Sequence, residues 1–180
     1  MQKKIVLIGG PGTGKSSVLN ELENRGFHCM HEVSREVTLK AQQEGIQQLF
    51  LSDPLLFSRM LLDGRVKQYN DANTSKHTSI FFDRGIPDVY AYLEYTNDSY
   101  PKEFIDKSVH YKYDYAFMFK PWKEIYTSDN ERYESFEESL IIDTFLQKTY
   151  ADLGYRIIVV PFGSMKERTD FILNWLKTNA

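Results

Sequence analysis

Residues Gly9-Gly10-Pro11-Gly12-Thr13-Gly14-Lys15-Ser16 fill the pattern G-x-x-x-x-G-K-[ST] at every fixed position. The flanks agree with it. Lys4-Ile5-Val6-Leu7-Ile8 is a β-branched apolar run, and Ser17-Val18-Leu19-Asn20-Glu21-Leu22 spaces its apolar residues as a helix does. A glycine-rich turn between a strand and a helix can be purely structural, but such a turn needs neither Lys15 nor the Ser16 hydroxyl. Glycines allow backbone conformations and a closeness of approach that a Cβ forbids, so successive N–H groups can curl around an anion. The helix that begins there aims its unpaired N–H groups and its positive dipole end at the same point. The stretch from Gly9 to Ser17 therefore predicts a nucleoside triphosphate site, with Lys15 on the β- and γ-phosphates and Ser16 as a ligand of Mg²⁺.

A second anchor is Thr78-Ser79-Ile80-Phe81-Phe82-Asp83, a short apolar strand that ends in an aspartate. A rigid buried strand of this kind can deliver a carboxylate to Mg²⁺ or its water shell. Alone it is a common pattern; beside a phosphate loop it designates Asp83, with Ser16, as the metal pair. Arg84 and Gly85 follow, and Ile86-Pro87-Asp88-Val89-Tyr90 starts a helix. Asp88 in its first turn either faces the same crevice or complements the helix dipole.

Between the two anchors, Phe27-His28-Cys29-Met30-His31 reads as a short strand, and Glu32-Val33-Ser34-Arg35-Glu36 as the opening of a helix to about Gln43. Ligands of an open α/β sheet bind at the carboxyl ends of its strands, so Glu32 points to the nucleotide's side and shares a helical face with Arg35. A charged helix start favoured by its dipole is the plainer account of Glu32. His28 and His31 face opposite ways on a strand and belong to no Cys/His cluster, so zinc is not expected.

Farther on, Ser52-Asp53-Pro54 opens an amphipathic helix carrying Leu55, Leu56, Met60, Leu61 and Val66 to about Tyr69, and Asp71 to His77 reads as a loop. Residues 45–51 fit no single element. Tyr113 to Phe119 is a fourth strand and Tyr155 to Pro161 a fifth, while capping boxes at Ser135-Phe136-Glu137-Glu138 and Ser164-Met165-Lys166-Glu167 start the last two helices. From Trp122 to Glu134 nothing has a buried periodicity. That segment, with Arg132, is a candidate lid, against the alternative of a solvated surface loop. Tyr90 to Tyr100 could stack on a base, although aromatics at helical spacing more often belong to the core.

The alternation of elements gives an α/β architecture: a parallel sheet of five strands with helices on both faces, in a single domain over residues 1–180. Lys plus Arg number 22 against 25 Asp plus Glu, a formal charge of −3, so no nucleic-acid partner is expected. A single cysteine, Cys29, excludes an intrachain disulfide and fits a reducing compartment. The apolar runs are too short for a signal peptide or a bilayer span, so the expectation is a soluble cytoplasmic protein. The oligomeric state is not legible.

Three stretches together, Gly9 to Ser16, Glu32-Val33-Ser34-Arg35-Glu36, and Phe82-Asp83-Arg84-Gly85-Ile86-Pro87-Asp88, resemble the P-loop kinases of nucleosides and nucleotides. The likeness is greatest to the ATPase/kinase domains similar to the ribosylnicotinamide kinase domain of NadR-type proteins, and it covers most of the chain from Lys4 to Val160. Arg132 is a fourth, weaker point of it. The resemblance implies a three-layer P-loop NTPase fold with strand order 2-3-1-4-5 and a small lid, and phosphoryl transfer from ATP to a small hydroxyl-bearing acceptor, nucleoside- or nucleotide-like. In such a site Lys15, Mg²⁺ on Ser16 and Asp83, and Arg132 neutralise charge. Glu32 orients the acceptor hydroxyl and takes its proton, because Asp83 cannot easily be both metal ligand and base. Arg35, Arg84 and Asp88 join Glu32 at the acceptor. The competing class is a nucleotide-dependent switch protein, binding ATP or GTP without kinase activity; an open pocket between the segments at Glu32 and Asp83 separates the two. No Asn-Lys-x-Asp guanine-reading sequence occurs.

Overall fold

The computed structural model describes residues 2–46, 48–126 and 134–179. At its centre lies β1 (Lys3–Ile8), paired in parallel with β3 (Ser79–Asp83) on one side and β4 (Tyr115–Phe119) on the other. With β2 (His28–Met30) and β5 (Ile157–Val160) at the edges, the order is β2-β3-β1-β4-β5, as the resemblance implied. Ile5, Val6, Leu7 and Ile8 are wholly buried, because helices cover both faces of the sheet. Alternate residues still go to opposite layers. Ile5 and Leu7 pack with Val18, Leu19 and Leu22 of α1 (Lys15–Asn24) and Ile172 of α8 (Met165–Asn179). Val6 and Ile8 pack with Ala91 of α5 (Ile86–Thr96) and with Ile142, Leu146 and Tyr150 of α7 (Phe136–Asp152).

A third cluster joins Leu62 of α4 (Pro54–Thr74) to Ile86, Val89 and Leu93 of α5 and to Phe104 of α6 (Glu103–His110). The helix starts obey their capping chemistry. Asp53 Oδ1 accepts from the Leu56 N–H (3.0 Å), and Ser135 and Glu138 exchange side-chain to backbone hydrogen bonds at 2.7 and 3.1 Å. Ser164 and Glu167 do the same at the head of α8.

Several boundaries differ from the sequence reading. α2 (Ser34–Gln43) starts after Glu32, so Glu32 and Arg35 do not share a helical face; Glu32 instead accepts from the Ser34 N–H at 3.2 Å. α4 runs on to Thr74 through the polar stretch read as a loop. Fully buried Ala72 anchors that last turn, and tertiary burial outweighs its poor intrinsic propensity. Residues 49–52 form the one-turn α3 (Leu49–Ser52), pinned by buried Leu49. β4 begins two residues later than expected, since the Tyr113 N–H is taken by the Tyr155 hydroxyl (3.1 Å).

This topology creates one crevice. The chain leaves β1 through α1 toward β2, whereas it leaves β3 through α5 and α6 toward β4, so the two loops part at the carboxyl edge of the sheet. The pairing of Leu7 with Asp83 sets the phosphate loop directly beside the end of β3.

Candidate active site

The phosphate loop is built around positive backbone angles. Gly9 (φ 145°) lies so close to β4 that a Cβ there would stand 2.4 Å from the Phe119 carbonyl oxygen, and Gly14 (φ 85°) heads α1 with no side-chain cap. Lys15, the first residue of α1, turns back over the loop. Its Nζ donates to the carbonyls of Gly9 and Gly10, both at 2.8 Å, and lies 3.3 Å from Thr13 Oγ1. Burial first, and the nearby Arg84 charge second, hold its pKa down at about 8, against the opposing pull of Asp83, Asp88 and Glu32.

Ser16 Oγ donates to Asp83 Oδ2 at 3.1 Å, while Asp83 Oδ1 is buried with no protein partner. A hydroxyl and a carboxylate side by side, one carboxylate oxygen orphaned, form the hard oxygen set that Mg²⁺ takes. Among the described residues no cluster of three or more His, Cys, Asp or Glu side chains exists that could hold a metal by itself, so such an ion would complete its shell with phosphate oxygens and water.

Directly after Asp83, Arg84 adopts a left-handed backbone (φ 68°), a conformation that costs a side-chain-bearing residue about 1 kcal/mol or more and recurs at functional sites. Its Nε lies 2.5 Å from Glu32 Oε2, and its Nη1 donates to the Tyr92 hydroxyl at 3.2 Å. The other Glu32 oxygen accepts from Arg65 Nη2 at 3.0 Å. Burial alone would raise the Glu32 pKa. The two guanidiniums outweigh it and hold the carboxyl at about 2, ionised at any physiological pH. A second bond from Arg65, Nη1 to the Gly85 carbonyl (2.9 Å), ties α4 to the turn after β3.

Asp88 is fully buried. One oxygen accepts from the Gly85 N–H (2.9 Å) and the Tyr150 hydroxyl (2.6 Å), so Asp88 caps its own helix, and the other has no protein partner. Burial raises its pKa despite Arg65 and Arg84.

Two cavities meet here. One, of about 660 Å³, runs from Gly12–Ser17 and Asp83 toward Trp122, Gly163 and Arg168. The other, of about 560 Å³, is walled by Phe50, Phe57, Leu61, Tyr92 and Tyr95, with Arg65 and Asp88 also lining it. Both are bordered by Pro11, Glu32, Ser34, Arg35 and Arg84. Lys15, Ser16, Ser17 and Asp83 thus fall on the loop side, Asp88 on the other, and Glu32, Arg35 and Arg84 between. Arg132 and most of the candidate lid lie outside the described residues.

Sequence reasoning missed Arg65 and Arg168, and reached Tyr92 only as part of the aromatic stretch Tyr90 to Tyr100, of which Tyr92 and Tyr95 line the second cavity. Arg65 did leave a signal, an arginine at core spacing in the apolar stripe of Leu61, Leu62 and Tyr69. Arg168 left none that separates it from a surface residue. No helix among the described residues is long and apolar enough to cross a membrane.

With this geometry in view, the likenesses are coherent. A deoxyadenosine kinase from M. mycoides with bound dCTP superposes with a TM-score of 0.69 at 16% identity, over 97% of this chain and 99% of that one. NadR protein in complex with NAD and AMP-PNP gives 0.71 at 16% identity over 98% of this chain, which spans about half (49%) of the NadR chain. Thymidylate kinase from Candida albicans gives 0.67 at 16% identity, over 99% and 92% of the two chains. At such identities they establish the P-loop kinase fold. No curated protein sequence matches the chain. A family model described as an AAA domain matches residues 4–168, nearly the whole length and both anchors of the site, and the chain therefore belongs to that AAA domain family of P-loop proteins.

Proposed function

We propose that the protein is an ATP- and Mg²⁺-dependent kinase of a small hydroxyl-bearing acceptor, nucleoside- or nucleotide-like. The observation that carries this reading is the common wall of the two cavities: Glu32 and Arg84 border both the phosphate-loop cavity and the aromatic-walled one. A phosphoryl group leaving the first toward the second must pass them. The open second cavity supports a kinase over a switch protein.

In this reading ATP lies with its phosphates on the loop from Gly9 to Ser17, and Lys15 exchanges its carbonyl partners for phosphoryl oxygens. Mg²⁺, which Ser16 and Asp83 would hold, supplies charge neutralisation at those oxygens. Glu32, with a pKa near 2, is too weak a base to take a proton early. Its task is to accept a hydrogen bond from the acceptor hydroxyl and aim it, which suits a loose transition state in which the nucleophile needs little activation. Arg84 neutralises charge at the crossing point, while Arg35, Asp88, Tyr92 and Tyr95 shape the acceptor side.

The test is a thermal-shift panel of nucleosides, nucleotides and NAD precursors, each with Mg·AMP-PNP, followed by ADP release assays on the hits. Stabilisation by Mg·AMP-PNP and ADP release dependent on one acceptor class supports the kinase. Nucleotide binding with no acceptor-dependent turnover rejects it in favour of a switch.

A further inference from the structure

Arg168 of α8 is buried to 3% exposure at a place that no site residue explains. Its Nη2 donates to the Thr13 carbonyl at 2.9 Å, and its Nη1 lies against Gly14 so closely that a Cβ there would approach to 2.5 Å. Its guanidinium carbon lies over the Phe119 ring, 4.5 Å from the centroid, and 6.0 Å from that of Trp122. Its Nε has no protein partner, and burial lowers its pKa. Phe119 in turn presses its carbonyl on Gly9, while Ile125 and Tyr126 pack against Gly14 and Gly12. One guanidinium thus meets three elements: the phosphate loop, the end of β4, and the foot of the candidate lid.

Burying a cation is expensive, and one polar atom left unpaired adds to the cost. A return is visible in the stereochemistry. In a trans peptide the C=O and the following N–H point in opposite directions, so a donor gripping the Thr13 carbonyl turns the Gly14 N–H to the far side of the peptide plane. That N–H belongs to the loop whose amides would receive phosphate. An isolated glycine in this setting could rotate its peptide at little steric cost.

Resting on the nucleotide-site reading above, we propose that Arg168 is a positioning residue that braces the Thr13–Gly14 peptide from behind, holding the phosphate loop in its anion-receiving form and coupling α8 to nucleotide affinity. It lines the phosphate-loop cavity but acts through the loop backbone. Lysine cannot replace it fully, because only the planar fork reaches the Thr13 carbonyl while its central carbon stays over the Phe119 ring.

The experiment compares wild type with R168M and R168K in two measurements: amide exchange of residues 12–18 in the ligand-free protein, and calorimetric titration with Mg·AMP-PNP. We expect exchange at the Val18 N–H, which bonds the Gly14 carbonyl (3.3 Å) at the start of α1, to rise at least tenfold in R168M with β1 amides unchanged, and affinity to fall at least tenfold, R168K lying between. Should R168M fail to fold, R168K alone must show both changes. Faster exchange with affinity within twofold of wild type reduces Arg168 to a packing contact and overturns the proposal. Weaker affinity with unchanged exchange makes it a direct ligand contact and also overturns it. If wild type itself does not bind Mg·AMP-PNP, the nucleotide reading fails, and the exchange result alone decides whether the brace exists.

Discussion

Arg65 Nη2 lies 3.0 Å from Glu32 Oε1, joining the middle of α4 to the segment between β2 and α2 across 33 positions of sequence. With Arg84 on the other oxygen, this contact makes Glu32 the hub of a buried charge cluster at the boundary of the two cavities. Removing one member of such a cluster leaves an uncompensated charge, which is far more costly than removing a surface pair.

Glu32→Gln should therefore destabilise the protein by about 3–5 kcal/mol, by taking from two buried guanidiniums the carboxylate they both contact. The sign of the pH dependence follows from the depressed pKa. The carboxyl titrates near 4.5 when unfolded and near 2 when folded, so its stabilisation is complete above 4.5 and is lost as pH falls toward 2. Urea denaturation from pH 2 to 6 should show this acid limb in wild type and not in the variant. Parallel curves would remove the ion cluster from the account.

Lys15 shows a linkage of the same sign in a higher pH window, here because burial disfavours its charged form. Its folded pKa of about 8 lies below the unfolded 10.5, so the unfolded chain holds the extra proton and stability of the ligand-free protein rises between pH 8 and 10.5. Lys15→Met should abolish that rise and weaken Mg·AMP-PNP binding at least tenfold at neutral pH. Wild-type affinity should be flat below pH 8 and decline above it, as the ammonium neutralises. Calorimetry over pH 6.5–9.5 measures this, and a pH-independent affinity would argue against a phosphate contact by Lys15.

The Mg²⁺ assignment separates cleanly from the rest. Asp83→Asn keeps the strand and an acceptor for Ser16 but removes the negative charge and one ligating oxygen, so Mg²⁺ should cease to enhance nucleotide binding while metal-free binding is not weakened. Ser16→Ala should shift the Mg²⁺ titration in the same direction. Titrations of AMP-PNP with and without Mg²⁺ decide the matter; unaltered metal dependence in both variants would count against this pair.

Gly64 of α4 lies against Val33, beside Glu32: a Cβ there would sit 2.4 Å from Val33 Cγ1. Gly64→Ala should cost about 1–3 kcal/mol and, by pushing α4 outward, loosen the Arg65–Glu32 contact and lower transfer. Val33→Ala makes room, so the double variant should recover at least half of both losses, and additive costs would exclude this steric link.

From the sequence alone came the phosphate loop, the strand ending in Asp83, the helix caps and the α/β class. Each rests on contiguous residues whose spacing reports a local period or a local hydrogen bond, and a short window holds all the information. The starts of α2 and β4 and the last turn of α4 escaped that logic, because the Ser34 N–H finds Glu32, the Tyr113 N–H finds Tyr155, and Ala72 finds the core. The same limit governs the site. That Glu32 is an ionised hub, that Asp88 caps its own helix, and that Arg168 grips the phosphate loop from the far end of the chain depend on which buried charges and carbonyls the packing of α4, α5 and α8 brings within 3 Å of one another. Burial sets the cost of each charge and the nearest partner repays it, and neither quantity exists until the helices have closed on the sheet.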